Sequence, residues 1–322
     1  MSREIKIPRI CTIGKVFDFL KAVEEIFFME NKFEPNVVFN MLEIEDIDLT
    51  GLLLNYKIIE FAVEHNCICK SKLNANDLVE EKLMEYYFWD LLQAYIKEKK
   101  ANYKELDFKI KGEFFIAPVA LLRKDKFSKE KIKDDFLPKI EEYYKNIPKD
   151  KENKDIIDKT KVPSMILQCF SEILLNFWEH AVEDTKSIIV ANGNSNYAEI
   201  ICADTGNGII STLKPVLNRL YSKDDILAKA MEKFVTSKKD TDHMGCGLWI
   251  LNQITNLSKG KLYIFSEGAY YLNHFGRFVK GECSYWKGTI IYMFLRLSTP
   301  KTLSDIEDFT SEEFNDLKIN FQ

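Results

Sequence analysis

The stretch Tyr197-Ala-Glu-Ile-Ile-Cys-Ala-Asp204-Thr-Gly-Asn-Gly208 reads as a strand that runs straight into an acidic, glycine-bearing turn. Alone, a D-x-G-x-G is only a turn, but its neighbours on both sides change the reading. Upstream, Met165-Ile-Leu-Gln-Cys-Phe-Ser-Glu-Ile-Leu-Leu-Asn-Phe-Trp-Glu-His-Ala-Val-Glu-Asp184 has helical spacing. It sets Glu172, Asn176 and His180 at i, i+4 and i+8, about one turn apart on nearly one face. A helix that aligns a carboxylate, a carboxamide and an imidazole amid apolar residues is unusual. A strand at 187–191 precedes the quoted stretch. About 35 residues after it comes Lys238-Lys-Asp-Thr-Asp-His-Met-Gly245-Cys-Gly247-Leu248, which opens a predicted helix over 248–257. Two further strands are expected at 261–265 and 288–295.

Glycine supports the same focus. The chain of 322 residues has only 13 glycines, and ten lie after residue 190, where the backbone must bend tightly or approach a ligand. Length allows about two domains. Apolar residues make up 46% and charged residues 30%, the balance of a globular protein. A net charge of −5 gives no basic excess to announce nucleic acid binding. No run of 18 apolar residues exists, so no membrane span is expected; the longest apolar stretch, 114–122, contains Pro118. The start, MSREIKIPRIC, lacks a secretory pattern. Seven scattered cysteines without C-x-x-C suit free thiols in a cytoplasmic protein.

The first 95 residues read as a smaller α/β module. A buried strand is expected at 36–43, an apolar helix at 52–65 after Asp48-Leu-Thr-Gly51, a short strand at 67–70 and an aromatic-rich helix at 76–98. Residues 96–161 form a lysine-rich connecting region with a strand-like island at 114–122, a helix near 128–145 and a solvated stretch at 147–161. Acidic residues alternate with its lysines, so a solvated surface is expected there and not a nucleic acid site. The last stretch, 299–322, is an acidic tail: 301–322 holds six acidic and two basic residues.

The order E-x-x-x-N, D-x-G-x-G, G-x-G-L and then Gly-Thr in a strand resembles the GHKL superfamily of ATP-binding domains, the gyrase, heat-shock chaperone, histidine kinase and MutL types, over residues 162–298. The resemblance implies an α/β (α+β) fold, a two-layer sandwich with helices on one face of a mixed sheet, and ATP with Mg²⁺ as cofactors. It implies that Asn176 holds Mg²⁺ and Glu172 acts as general base. His180 falls at the family's polar position near the phosphates, and Asp204 at that of the adenine-binding carboxylate. Gly206 and Gly208 let the backbone approach the base, and Gly245, Gly247 and Leu248 place a helix N-terminus at the phosphates. Thr289 supports the adenine. Lys238 and Lys239 lie in the segment the family uses as a mobile lid. Three positions depart from the family pattern: Met244 before a short glycine box, Phe177 after the asparagine, and Glu179.

No acceptor histidine hairpin precedes the domain, and about 25 residues follow its last strand, too few for a transducer domain. The expected function is therefore slow ATP hydrolysis or ATP-gated switching coupled to a protein partner, which includes a second copy of the chain. A second expectation is a protein serine/threonine kinase of the anti-sigma type, and a third is a non-catalytic module that ATP organises. The region from Val37 to Leu73 faintly resembles the STAS-like anti-sigma antagonists, whose acceptor hydroxyl lies in a turn before an apolar helix. Thr50 stands at that place, either as a phosphoacceptor or as a plain helix cap.

Overall fold

The computed structural model describes residues 2–29, 36–73, 77–97, 114–122, 168–169, 172–173, 176–177, 186–193, 196–217, 220–237 and 245–297. The helix expected near 128–145, the solvated stretch at 147–161 and the acidic tail lie outside them. Three parallel strands, β1 (Ser2–Lys6), β3 (Asn36–Met41) and β5 (Ile68–Leu73), form a small sheet in the order β1-β3-β5. In β3 burial alternates, with Val37, Phe39 and Met41 inward. Two residues each of β2 (Ile10–Cys11) and β4 (Asp46–Ile47) pair separately.

Two helices cover the inner side. In α1 (Val16–Val23) the buried residues Val16, Phe19, Leu20 and Val23 recur at i, i+3, i+4 and i+7, one apolar stripe. Helix α2 (Leu49–Glu64) is different: it is buried on every side, from Leu49 through Ala62. Its N-cap is Asp48, which accepts from the Gly51 N–H at 2.9 Å and from the Ile13 N–H at 2.8 Å. Close seating requires Gly51, because a Cβ there would stand 1.8 Å from the Cys11 carbonyl oxygen. Lys57 is taken into this apolar setting only with partners: its ammonium meets Glu60 at 2.6 Å, and the Tyr56 hydroxyl donates to the same carboxylate at 2.8 Å. Beyond α2, the expected helix over 76–98 is broken. It divides into α3 (Asp77–Glu85) and α4 (Phe88–Leu91), because Tyr87 takes a left-handed conformation at φ 57°.

The large sheet has seven strands in the order β11-β10-β9-β12-β8-β7-β6. These are β6 (Phe114–Leu122), β7 (Lys186–Gly193), β8 (Tyr197–Ala203), β9 (Lys261–Ser266), β10 (Ala269–His274), β11 (Arg277–Glu282) and β12 (Thr289–Arg296). Every neighbouring pair is antiparallel. The sequence expectation of a mixed sheet is thereby corrected. Strands β8 and β9 do run in the same direction, but β12 lies between them and pairs with both. Strand β6 joins this sheet although it falls in the region expected as a connection. Its pairing shifts register between Ile116 and Val119, where Pro118 removes a donor at the edge of the sheet.

Helices α5 (Ile209–Leu213), α6 (Lys223–Lys229) and α7 (Gly247–Leu257), with the helical positions 168–169, 172–173 and 176–177, cover one face. Ile189, Cys202, Ile264, Ile291 and Met293 point into that layer. Ile188, Ile201, Phe265, Ile290 and Tyr292 point the other way, into one core with α1, α2 and the small sheet. The chain is thus an α+β protein whose central strands β7, β8, β9 and β12 are packed on both faces. No helix among the described residues is long and apolar enough to cross a membrane.

Candidate functional site

Strand β8 delivers Asp204 to the edge of the helix layer, where it is 1% exposed. Its backbone continues the sheet: the Asp204 N–H donates to the Thr289 carbonyl at 3.0 Å, and its own carbonyl accepts from Trp286 Nε1 at 2.9 Å. Its carboxylate is oriented by two backbone donors, Gly206 N–H at 2.7 Å and Thr289 N–H at 3.1 Å. Gly288 permits this approach. It sits at φ 87°, and a Cβ there would come within 2.4 Å of Asp204 Oδ1.

The turn after Asp204 is held from outside. Ser266 Oγ accepts from the Ile209 N–H at 2.9 Å and donates to the Gly288 carbonyl at 2.9 Å. Glu267 accepts from the Ser211 N–H at 2.7 Å and from the Ser211 hydroxyl, so a carboxylate from the β9–β10 turn caps the first turn of α5. Gly208 makes room for this pair: a Cβ would meet Glu267 Oε2 and Ser266 Oγ at 2.4 Å each. The sequence reading assigned that glycine to close approach of a base. Its close neighbours are these two side chains.

The opposite wall is built by the helical positions 168–169, 172–173 and 176–177 and by α7. Glu172 is 7% exposed and accepts from Gln168 Nε2 at 2.7 Å. Asn176 donates Nδ2 to the Glu172 carbonyl at 2.8 Å, which leaves its Oδ1 as an acceptor. Helix α7 begins at Gly247, whose missing side chain lets the helix end approach: a Cβ would lie 2.6 Å from Glu172 Oε2 and 3.3 Å from Asn176 Nδ2. The N-cap residue Cys246 makes no side-chain cap hydrogen bond, and the Glu172 carboxylate lies against this helix start. Gly245, at φ 68°, brings the strand of chain before α7 against Thr236. Burial and the Glu172 carboxylate push the Cys169 thiol well up, which keeps it protonated.

Between the walls lies a small cleft, partly open to solvent. Its polar lining is Asn176, Asp204, Asn207 and Thr289, and its apolar lining is Phe177, Ile209, Leu248 and Ile291. Of the residues singled out in the sequence, Asn176, Asp204, Leu248 and Thr289 therefore meet in one pocket. Glu172 and Gly247 touch each other beside it, and Gly206 fixes Asp204. His180, Lys238 and Lys239 lie outside the described residues. Asn207 was missed, although it sits inside the D-T-G-N-G motif; its carboxamide has no hydrogen-bond partner among the described residues. Trp286, Ser266 and Glu267 were missed as well, for no local pattern announces a side chain that acts on a distant turn.

Thr50 is 1% exposed, and Asp48, not Thr50, caps α2. Its Oγ1 has no hydrogen-bond partner among the described residues, and as folded it is closed to a second protein or a phosphate donor. Comparison of the chain with models of protein families finds no match, and comparison with curated proteins finds none either.

Proposed function

We propose that the chain is an ATP-binding protein of the GHKL type, which couples slow Mg²⁺-dependent ATP hydrolysis, or ATP-gated switching, to a protein partner in the cytoplasm. The observation that carries this reading is the convergence of Asn176, Asp204, Leu248 and Thr289 on one apolar-walled cavity, from four separate stretches of chain. The residues fit the ligand they would hold. The Asp204 carboxylate, dry and fixed by two N–H groups, suits the exocyclic amine of adenine and repels the carbonyl that guanine presents at the same place. The apolar lining by Ile209, Leu248 and Ile291 suits the faces of a base.

For the phosphates, the start of α7, whose N-cap residue Cys246 makes no side-chain cap hydrogen bond, would offer its first backbone N–H groups. Asn176 Oδ1 is a neutral oxygen of the type Mg²⁺ takes, with phosphate oxygens and water completing the set. Bound there, the metal would supply charge neutralisation at the phosphate chain. Glu172, one helical turn from Asn176, would accept the proton of an attacking water. Gln168 steadies one of its oxygens at 2.7 Å.

Incubation with γ-labelled ATP and Mg²⁺ tests the reading. Released phosphate that disappears in Glu172→Ala, with no label on protein, supports hydrolysis. Label on protein would favour the anti-sigma kinase alternative, which loses Thr50 as an acceptor in this chain. Absence of any ATP binding would end the reading.

A further inference from the structure

Residues 285–288 grip the pocket with one side and the N-terminal unit with the other. On the pocket side, the Trp286 indole donates to the Asp204 carbonyl at 2.9 Å, and the Trp286 carbonyl accepts from the Glu267 N–H at 3.1 Å. Asp204 and Glu267 are the two acids that set the D-T-G-N-G turn. On the other side, the Tyr285 N–H donates to Glu24 Oε1 at 3.2 Å. The Trp286 ring meets Phe27 edge-on, at 5.1 Å and 70°, and Phe27 in turn packs on Phe61 of α2 at 5.0 Å. Lys287 stands 5.5 Å over the same Phe61 ring. Trp286 is fully buried.

We infer that Trp286 is a positioning residue of the nucleotide pocket, and that the N-terminal unit sets base preference through it. The inference rests on the nucleotide reading above and adds what controls it. An indole wedged between Phe27 and the Asp204 carbonyl has no independent place to move, since interiors are close-packed. A shift of the Glu24–Phe28 turn or of α2 moves the indole, and the Asp204 backbone follows it. The carboxylate that selects adenine is carried on that backbone, so its aim at the base depends on how the N-terminal unit is seated. By linkage, a nucleotide that fixes Asp204 tightens the same seat.

The test uses the full chain and two substitutions. Trp286→Phe keeps the ring and removes the N–H; Phe27→Leu loosens the ring from the N-terminal side and touches no pocket residue. Each protein is titrated with ATP and with GTP in Mg²⁺, and its Tm is recorded. In Trp286→Phe the ATP affinity is expected to fall about 3- to 10-fold, the worth of one hydrogen bond, with GTP changed less, so the ATP/GTP ratio drops. Phe27→Leu is expected to lower the ratio in the same direction by a smaller factor. A purely structural role would lower Tm and leave the ratio untouched, and that result overturns the inference. If Trp286→Phe does not fold, Phe27→Leu decides. An unchanged ratio in Phe27→Leu alone overturns the role of the N-terminal unit. Equal ATP and GTP binding by the unmodified chain removes the base selection on which it depends. Binding of neither nucleotide overturns the nucleotide reading itself.

Discussion

The two faces of the seven-stranded sheet are made by the same strands, residue by residue, and the pocket described above lies on one of them. Ile189, Cys202 and Ile291 face the helices, while their chain neighbours Ile188, Ile201 and Ile290 face the N-terminal unit. On the second face the cover includes α2, which is buried from Leu49 through Ala62, and large rings such as Phe265, Trp286 and Tyr292 fill the space. On the first face the cover includes glycine-bearing turns at 206–208, 245–247 and 288, which bring backbone and polar atoms to the sheet beside side chains such as Phe177 and Trp249. Burial is the same on both sides. What opens a pocket is how the covering layer enters.

Four substitutions break or sharpen that contrast. The largest effect is expected from Glu172→Gln on the cavity side: phosphate release should fall by about 10²- to 10⁴-fold, the usual worth of a general base, with ATP binding kept in equilibrium titration. Next comes Asp204→Asn. Its amide cannot accept from both Gly206 and Thr289 and also serve the base, and ATP should weaken by about 10- to 100-fold in calorimetric titration. Unchanged ATP affinity in this variant would erase the difference between the faces.

The packed side should answer in stability. Gly51→Ala forces a methyl onto the Cys11 carbonyl and should cost about 1–3 kcal/mol in denaturant unfolding, with the ATP/GTP ratio of the folded protein unaltered. The smallest effect concerns pH. Burial raises the Glu199 carboxyl above its ordinary value and nearby Asp48 adds to this, against the opposing pull of Tyr292 and Lys261. A raised folded-state value means that the group's favourable contribution is full below the unfolded value and is lost as pH rises through the folded one. Glu199→Gln should therefore stabilise the protein at pH 7, on the order of 0.5 kcal/mol, and the gain should vanish near pH 4 in thermal melts.

The parts of this architecture that follow local rules were legible in the residues alone. Helical spacing placed Glu172 and Asn176 one turn apart, and the strand before Asp204 and the glycines before α7 lie where the pattern put them. The antiparallel order was not legible, since it depends on β12 entering between β8 and β9 from the far end of the chain. The cover on the second face left a trace that went unread. Runs such as Ile188-Ile-Val-Ala191 and Ile290-Ile-Tyr-Met-Phe-Leu295 are apolar without alternation, the mark of a strand buried on both sides. Tyr87 shows the opposite case: periodicity continued through it, and only its left-handed backbone ends α3. In the pocket, Asn207 was within reach of the motif, whereas Trp286 acts through a contact 82 residues away in sequence.

Strand β6 has a practical consequence. It comes from the middle of the chain and shields the backbone edge of β7, with a proline at its own outer edge. A fragment cut to begin at residue 162 would lose that shield and bare β7, whose Ile188-Ile-Val190 run is the kind of edge that recruits strands from other molecules. The same cut would strip the second face of its cover. The pocket is thus not a detachable part, and the protein is expected to melt, express and degrade as a single unit.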